Sequence, residues 1–174
     1  MKLISSALFS LMLVALSSAA TIDVTMSKTQ LPPTQDPVTG AGLGSGSGTL
    51  APLGVMSWSD RGFLDSTGTA FNGTFTMTFA NGTLFGNLGE TIDRSGGLTA
   101  ILIDQRMDVT GGTGAFLWYN GLITANGTIN AITNVPALFS GAGTLNTAPE
   151  PAGIVLLPIG LLCLVAYRKF SAQV

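Results

Sequence analysis

The feature that most restricts the fold of this chain is a two-residue alternation of apolar and polar side chains that begins near residue 50. In residues 71–79, one face carries Phe71, Phe75, Met77 and Phe79, and the other carries Asn72, Thr74, Thr76 and Thr78. A period of two is typical of a β-strand with one buried face. Asn81 and Gly82 favour a type I′ turn, so residues 83–88 are predicted to return as the second strand of a hairpin.

Residues 99–109 repeat this pattern. One face of the predicted strand carries Ile101, Ile103, Gln105, Met107 and Val109, and the other carries Leu102, Asp104, Arg106 and Asp108. The pairs Asn120–Gly121 and Asn126–Gly127 predict further turns. Several short strands without a helical period predict an all-β domain over residues 50–147, either a small antiparallel β-barrel or, as the alternative, a β-sandwich. We favour the barrel because closure removes sheet edges that the few charges of this chain would not protect.

Residues 21–49 differ in composition from the residues that follow them. They contain "QLPPTQDP" and "TGAGLGSGSGT", which carry no obvious apolar period. Such Gly/Ser/Pro-rich sequence predicts a flexible arm. A phosphate-binding loop is disfavoured, because the lysine that precedes Ser or Thr in such loops is missing.

The N-terminus carries the pattern of a secretory signal peptide over residues 1–20. Met1 and Lys2 precede the apolar residues 3–16, and small residues follow at 17–20. Signal peptidase is expected to cut between Ala20 and Thr21. The exported part contains no cysteine, because the single cysteine is Cys163, so its stability must come from core burial and not from disulfides.

The C-terminus, residues 148–174, predicts a single transmembrane helix that contacts membrane lipid. Residues 152–167 are uncharged, and at about 1.5 Å per residue they form a short span for a hydrocarbon core of about 30 Å. Arg168 and Lys169 follow as stop-transfer charges on the cytoplasmic side. An ordinary anchor that is never cut stays open as an alternative, whereas a GPI signal is disfavoured by the basic and polar end.

The order Pro149, Glu150, Pro151, an apolar segment and then Arg168 and Lys169 resembles the PEP-CTERM sorting signal. This resemblance implies a Gram-negative bacterial host that often produces exopolysaccharide. It also implies that exosortase processes the chain near the Pro-Glu-Pro motif, after an inner-membrane-anchored stage, and that the product reaches the cell surface or the extracellular matrix.

A second resemblance lies in "GGTGAF", residues 111–116, which is similar to a stretch of the small barrels of the allene oxide cyclase and dirigent group. It covers one short segment. What it implies for this chain is a barrel fold, and no activity.

Catalysis finds little support in the composition. The chain contains no histidine, which removes the commonest general base near neutral pH and the commonest transition-metal ligand. Asp104 and Asp108 resemble a carboxylate pair for glycoside hydrolysis, but Arg106 lies between them on the same strand face. A solvated polar face is the simpler interpretation, so we predict that the protein is not an enzyme and uses no cofactor.

Calcium is the metal ion that the acidic residues could bind, because it prefers oxygen ligands. The candidate ligands are Asp60, Asp65, Asp93 and Asp104. Their spacing matches neither an EF-hand nor a repeat-type calcium loop, so no metal site is predicted. The three "NGT" triplets that begin at Asn72, Asn81 and Asn126 match the N-glycosylation acceptor. We interpret Asn81 and Asn126 as turn residues instead.

Trp58, Trp118 and Tyr119 are candidates for an aromatic platform that contacts carbohydrate, such as exopolysaccharide, with burial in the core as the alternative. Nucleic acid is disfavoured as a partner, because the exported region has no basic cluster. The function that these features favour is that of a non-catalytic cell-surface or matrix protein sorted through its tail. The alternative is a secreted barrel that binds a small ligand, or a cyclase-like enzyme, held by an uncleaved anchor.

Overall fold

A computed structural model of the chain describes residues 20–132 and 135–147. Over these residues the chain forms nine strands and no helix: β1 (Ala20–Gln30), β2 (Thr34–Gln35), β3 (Gly42–Ala51), β4 (Gly54–Leu64), β5 (Ala70–Phe79), β6 (Gly82–Asp93), β7 (Ile101–Gly114), β8 (Tyr119–Ile129) and β9 (Ala137–Thr147). Within the same residues no helix is long and apolar enough to cross a membrane. Residues 1–19 of the predicted signal peptide, which was predicted over residues 1–20, lie outside the described residues. The predicted tail helix in residues 148–174 lies outside them as well.

The strands close into an antiparallel barrel. Strands β3 to β8 each pair with the next strand in the chain, and β1 completes the circle by pairing with both β9 and β3. The two-residue strand β2 adds to β3 outside this ring of eight. The predicted barrel is therefore confirmed over the sandwich. Eight strands enclose an interior that side chains fill or that holds one small ligand.

The predicted hairpin at residues 71–88 is confirmed, with one shift in its turn. On β5, Phe71, Phe75, Met77 and Phe79 are buried, as the alternation indicates. Phe79 pairs directly with Gly82, so the turn residues are Ala80 and Asn81, one position earlier than predicted. Gly82 is instead the first residue of β6. Its backbone lies against the Thr113 carbonyl, and a Cβ at this position would lie 2.1 Å from that oxygen.

The strand predicted at residues 99–109 corresponds to β7, and its buried face is the predicted one. The turns predicted at Asn120–Gly121 and Asn126–Gly127 are wrong, because both pairs lie inside the single strand β8. Gly127 serves packing there and not reversal of the chain. A Cβ at Gly127 would lie 2.6 Å from a ring carbon of Phe139 on β9.

The flexible arm predicted for residues 21–49 is also wrong, because most of these residues form β1 and β3. On β1, alternate side chains from Val24 to Gln30 are buried, and those between them face outward. On β3, the positions that face β1 include Gly46 and Gly48, whose backbones approach the β1 backbone closely. Glycine is required at such close approaches, and it hides the apolar period that a strand normally shows.

The interior contains two apolar clusters. The larger cluster fills one end of the barrel, which we call the far end, and includes Met26, Met56, Phe75, Met77 and Leu145. The smaller cluster lies at the opposite end, the mouth, and consists of Ile101, Ile103, Ala137 and Phe139. Strand β1 begins and β9 ends at the far end, where Thr21 Oγ1 donates a hydrogen bond of 3.1 Å to Asn146 Oδ1.

Candidate ligand site at the barrel mouth

A layer of polar side chains separates the two apolar clusters. On β6, Glu90 lies between Leu88 of the larger cluster and Ile92 beside the smaller one. On β7, Gln105 lies between Met107 and Ile103 and is the direct cross-strand partner of Glu90. We call the following five residues the polar layer: Lys28, Gln30, Asp60, Glu90 and Gln105.

A cavity of about 680 Å³ opens at the mouth, and we call it the mouth cavity. Three members of the polar layer, Gln30, Asp60 and Glu90, reach its surface. The apolar part of its lining includes Phe63, Phe71, Ile92, Ile101, Ile103 and Ile129. A concave, mostly apolar site with a few convergent polar groups is the usual form of a small-molecule site in a protein.

Hydrogen bonds hold the two carboxyl groups in place. Trp58 Nε1 donates to Asp60 Oδ2 at 2.6 Å, and the Gly44 backbone N–H also donates to the Asp60 carboxyl. Gln105 Nε2 donates to Glu90 Oε1 and lies 3.4 Å from Gln30 Oε1. Gly44 is needed beside Asp60, because a Cβ at this position would lie 2.2 Å from Asp60 Oδ2.

Lys28 is the most unusual member of the polar layer. It is 1% exposed, and its Nζ atom has no hydrogen-bond partner. The Nζ atom lies 3.4 Å from the centroid of the Trp58 ring and 5.0 Å from that of the Phe139 ring, so the amine makes cation–π contacts when it is protonated. Burial lowers the pKa of the Lys28 amine from 10.5 to about 7, although Asp60 and Glu90 attract the charged form.

The carboxyl groups respond to the same environment in the opposite direction. Burial raises the pKa of Asp60, and the Trp58 hydrogen bond and the Lys28 charge oppose that rise only in part. Burial also raises the pKa of Glu90, against the Gln105 hydrogen bond. The negative charge of Asp60 raises the Glu90 pKa further, so the two acidic groups influence each other.

The structure does not bring the predicted carbohydrate-contacting residues together. Trp58 is 2% exposed and stacks on Phe75 inside the barrel, with ring centroids 5.3 Å apart. Trp118 is 41% exposed in the turn before β8. Tyr119 is half-buried, and its ring meets the Phe116 ring edge-on. Trp58 is therefore a core residue that also donates a hydrogen bond to Asp60.

The aspartates considered as calcium ligands lie in different surroundings. Asp60 belongs to the polar layer, and Asp104 is exposed on the outer face of β7. Asp65 accepts hydrogen bonds from the Thr67 hydroxyl and from the Ala70 and Thr69 backbone in the turn after β4, and these bonds lower its pKa to about 2. Among residues 20–132 and 135–147, no three acidic, histidine or cysteine side chains are grouped so that they would hold a metal ion.

The outer face of the sheet carries a second, more open depression of about 900 Å³. It is lined by short polar side chains and glycines, among them Asn72, Thr124, Asn126 and Ser140. Here Arg106 donates to Asp108 at 2.7 Å, as the interpretation of a solvated polar face expects. Glu90 and Gln105 also contribute to the lining of this depression. The mouth cavity is less open and has largely apolar walls, so it is the stronger candidate site.

Most of the polar layer was not predicted from the sequence pattern. Lys28 and Gln30 continue the alternation of Val24 and Met26, but the proline- and glycine-rich sequence after them suggested an arm. Glu90 and Gln105 interrupt apolar faces on separate strands, and only the register places them opposite each other. The sequence signal for Glu90 and Gln105 was a polar residue at a position where the alternation predicts a buried side chain.

Comparison with solved structures finds a similar barrel in the structure of the pterocarpan synthase dirigent protein GePTS1. The TM-score is 0.51, the sequence identity is 12%, and the match covers 76% of this chain and 88% of that chain. The barrel fold is shared with a dirigent protein. The fold implied by residues 111–116 is thereby confirmed, and at this identity the likeness concerns the fold alone. No protein-family model and no curated protein matches the sequence.

Proposed function

We propose that this protein is a non-catalytic barrel that binds a small molecule in its mouth cavity and that works on the outside of a bacterial cell. The observation that carries the binding proposal is the polar layer at the base of the mouth cavity. Gln30, Asp60 and Glu90 bring polar groups into the lining of a cavity whose walls are largely apolar. Polar groups that converge in an apolar cavity are suited to bind a ligand and to fix its orientation.

Binding without catalysis is the simpler role for these residues. The chain contains no histidine to act as a general base. Asp60 and Glu90 already accept hydrogen bonds from Trp58 and Gln105, which fix both carboxyl groups. Fixed groups around an apolar cavity orient a ligand and select it by its polar end.

Enlarging Ala137 should weaken ligand binding, because this buried residue lines the mouth cavity. We expect Ala137→Leu to weaken binding of the apolar dye N-phenyl-1-naphthylamine about tenfold, which corresponds to the roughly 1–3 kcal/mol cost of overpacking. Dye fluorescence measures the binding. The matched control is Ala142→Leu, since Ala142 is on the same strand but exposed on the outer face. Equal dye affinity in both variants would mean that the dye binds outside the mouth cavity.

The export and sorting part of the proposal rests on the two ends of the sequence. Ala20 and Thr21, the predicted cleavage site, are exposed at the beginning of β1, so removal of residues 1–20 leaves almost all of that strand. The motif Pro149, Glu150 and Pro151, and the charges Arg168 and Lys169, lie outside the described residues. We propose that exosortase processes this tail, whose motif follows soon after the end of β9 at Thr147, and thereby releases the barrel.

Protein recovered from the cell surface should have a shortened mass. In a host with exosortase, we expect a chain that begins at Thr21 and lacks the residues beyond Pro151, because signal peptidase and exosortase each remove one end. Intact-protein mass spectrometry gives both termini at once. Protein from a strain without exosortase is the control, and it should keep its C-terminal segment and stay with the inner membrane. A full C-terminal mass at the surface of the normal strain would contradict the sorting proposal.

A further inference from the structure

We propose that the mouth cavity binds a protonated primary amine with an apolar body, whose ammonium group contacts the Asp60 and Glu90 carboxyl groups. This inference rests on the proposed function, because it names the class of small molecule that the same cavity takes. It depends on two features of the described residues: the concave mouth cavity with its largely apolar walls, and the Asp60 and Glu90 carboxyl groups in its lining.

The charges of the polar layer favour a cation. Asp60 and Glu90 are both acidic, and the single amine of Lys28 attracts both. One amine does not neutralise two carboxylates, and Lys28 is only partly protonated near neutral pH, since its pKa is about 7. Among the described residues that line the cavity, Arg94 is the only basic one, and it is exposed at the rim. The polar layer therefore holds one more acidic group than basic groups, which favours a cationic ligand over an anionic one.

The hydrogen-bonding groups at the base also suit an ammonium group. A primary ammonium carries three N–H donors and no acceptor. Asp60 and Glu90, which both line the cavity, offer carboxylate acceptors. Hydrogen bonds between charged partners are about twice as strong as neutral ones. An ammonium group would thus gain contacts that a hydroxyl group, with one donor, does not.

The upper part of the cavity suits a hydrocarbon body. Its walls carry Phe63, Phe71, Ile92, Ile101 and Ile103, and the cavity volume of about 680 Å³ lies within the usual range for drug-sized ligands. Lys28 illustrates the same chemistry within the protein itself. Its amine lies over the Trp58 ring, and it has the same two carboxyl groups as its electrostatic partners.

The test compares three ligands of equal chain length: octylamine, octan-1-ol and octanoate. The test uses the full chain as recovered after export, dispersed in phosphatidylcholine vesicles. The chain carries Trp118→Phe, so that Trp58 is its only tryptophan. Emission of Trp58 reports binding at the base, because its indole donates to Asp60. We expect octylamine to bind about tenfold more tightly than octan-1-ol, with octanoate weakest, since a charged hydrogen bond contributes roughly 1.5–3 kcal/mol.

Variants assign this preference to the carboxyl groups. Glu90→Gln and Asp60→Asn should each bring octylamine close to the affinity of octan-1-ol, while octan-1-ol itself is little affected. Asp104→Asn is the matched control, because Asp104 lies on the outer face of β7. If Glu90→Gln fails to fold, Asp60→Asn decides alone, since its amide oxygen still accepts the Trp58 hydrogen bond.

The outcomes separate this inference from the proposed function. Octanoate or octan-1-ol binding as tightly as octylamine would overturn the amine class and leave a binding barrel. Equal loss of octylamine binding in Asp104→Asn and Glu90→Gln would also overturn it, because the charge effect would then be general. If none of the three ligands changes Trp58 emission and the dye does not bind, both the inference and the proposed function fail.

Discussion

A valine in place of Gly46 is expected to prevent the barrel from closing. Gly46 lies on β3 where this strand approaches β1, and a Cβ at this position would lie 2.0 Å from the Thr29 carbonyl oxygen and 3.1 Å from the Gln30 Cα. Both obstacles are backbone atoms, so a side chain cannot turn away to relieve the clash. The two strands must separate, and we expect a loss of at least about 4 kcal/mol in the free energy of unfolding, which is among the largest effects of single substitutions.

Ser47→Val is the matched control for Gly46→Val, because Ser47 is the next residue on β3 and is exposed. A β-branched residue is favourable on an exposed strand position, so we expect its stability to stay within about 0.5 kcal/mol of the unsubstituted protein. Urea unfolding followed by far-ultraviolet circular dichroism gives both free energies. Similar stabilities of the two variants would show that β1 and β3 do not approach as closely as the structure has them.

The same glycines explain why the sequence predicted only part of the barrel. Where the inner face is apolar, as at Phe71, Phe75 and Met77 of β5, the alternation predicted the strand and its buried face. On β3, three inward positions are Gly44, Gly46 and Gly48, so no apolar period exists to be recognised. A glycine-rich run has the same composition in a linker and in a strand that passes close to its neighbours.

The candidate site was harder to predict than the strands, for a different physical reason. Lys28, Asp60, Glu90 and Gln105 come from four strands, and each is only one polar residue on an otherwise apolar face. Contact between them depends on the registers, which place Asp60 beside Gly44 and Glu90 opposite Gln105. Local sequence patterns do not contain these registers. The missing histidine, in contrast, was visible from composition and limited the chemistry from the start.

The stability of the protein should rise as the solution is made more alkaline, because of Lys28. Its pKa is about 7 in the folded protein and 10.5 in an ordinary lysine, so between these values the unfolded chain binds a proton that the folded chain does not. Stability rises with pH wherever the unfolded state binds more protons. At 1.36 kcal/mol per pKa unit, the gain from Lys28 between about pH 7 and about pH 10 is on the order of 4 kcal/mol.

The carboxyl groups of the polar layer act in the opposite direction. The pKa values of Asp60 and Glu90 are raised in the folded protein, so each contributes stability below its ordinary pKa and loses it as the pH rises through its folded value. Their contribution to the free energy of unfolding therefore falls as the pH rises, whereas that of Lys28 rises. Urea unfolding at a series of pH values measures the sum of these two trends.

Lys28→Met isolates the alkaline part, because methionine keeps the length of the side chain and its contact with Trp58 but cannot be protonated. Lys28 is the only lysine in residues 20–147, so we expect the gain in stability between pH 7 and about pH 10 to disappear in this variant. Adding Thr25→Lys restores a lysine on the exposed face of the same strand, where its pKa should stay ordinary and the gain should not return. A gain that persists in Lys28→Met, or that returns with Thr25→Lys, would mean that the Lys28 amine reaches solvent in the folded protein.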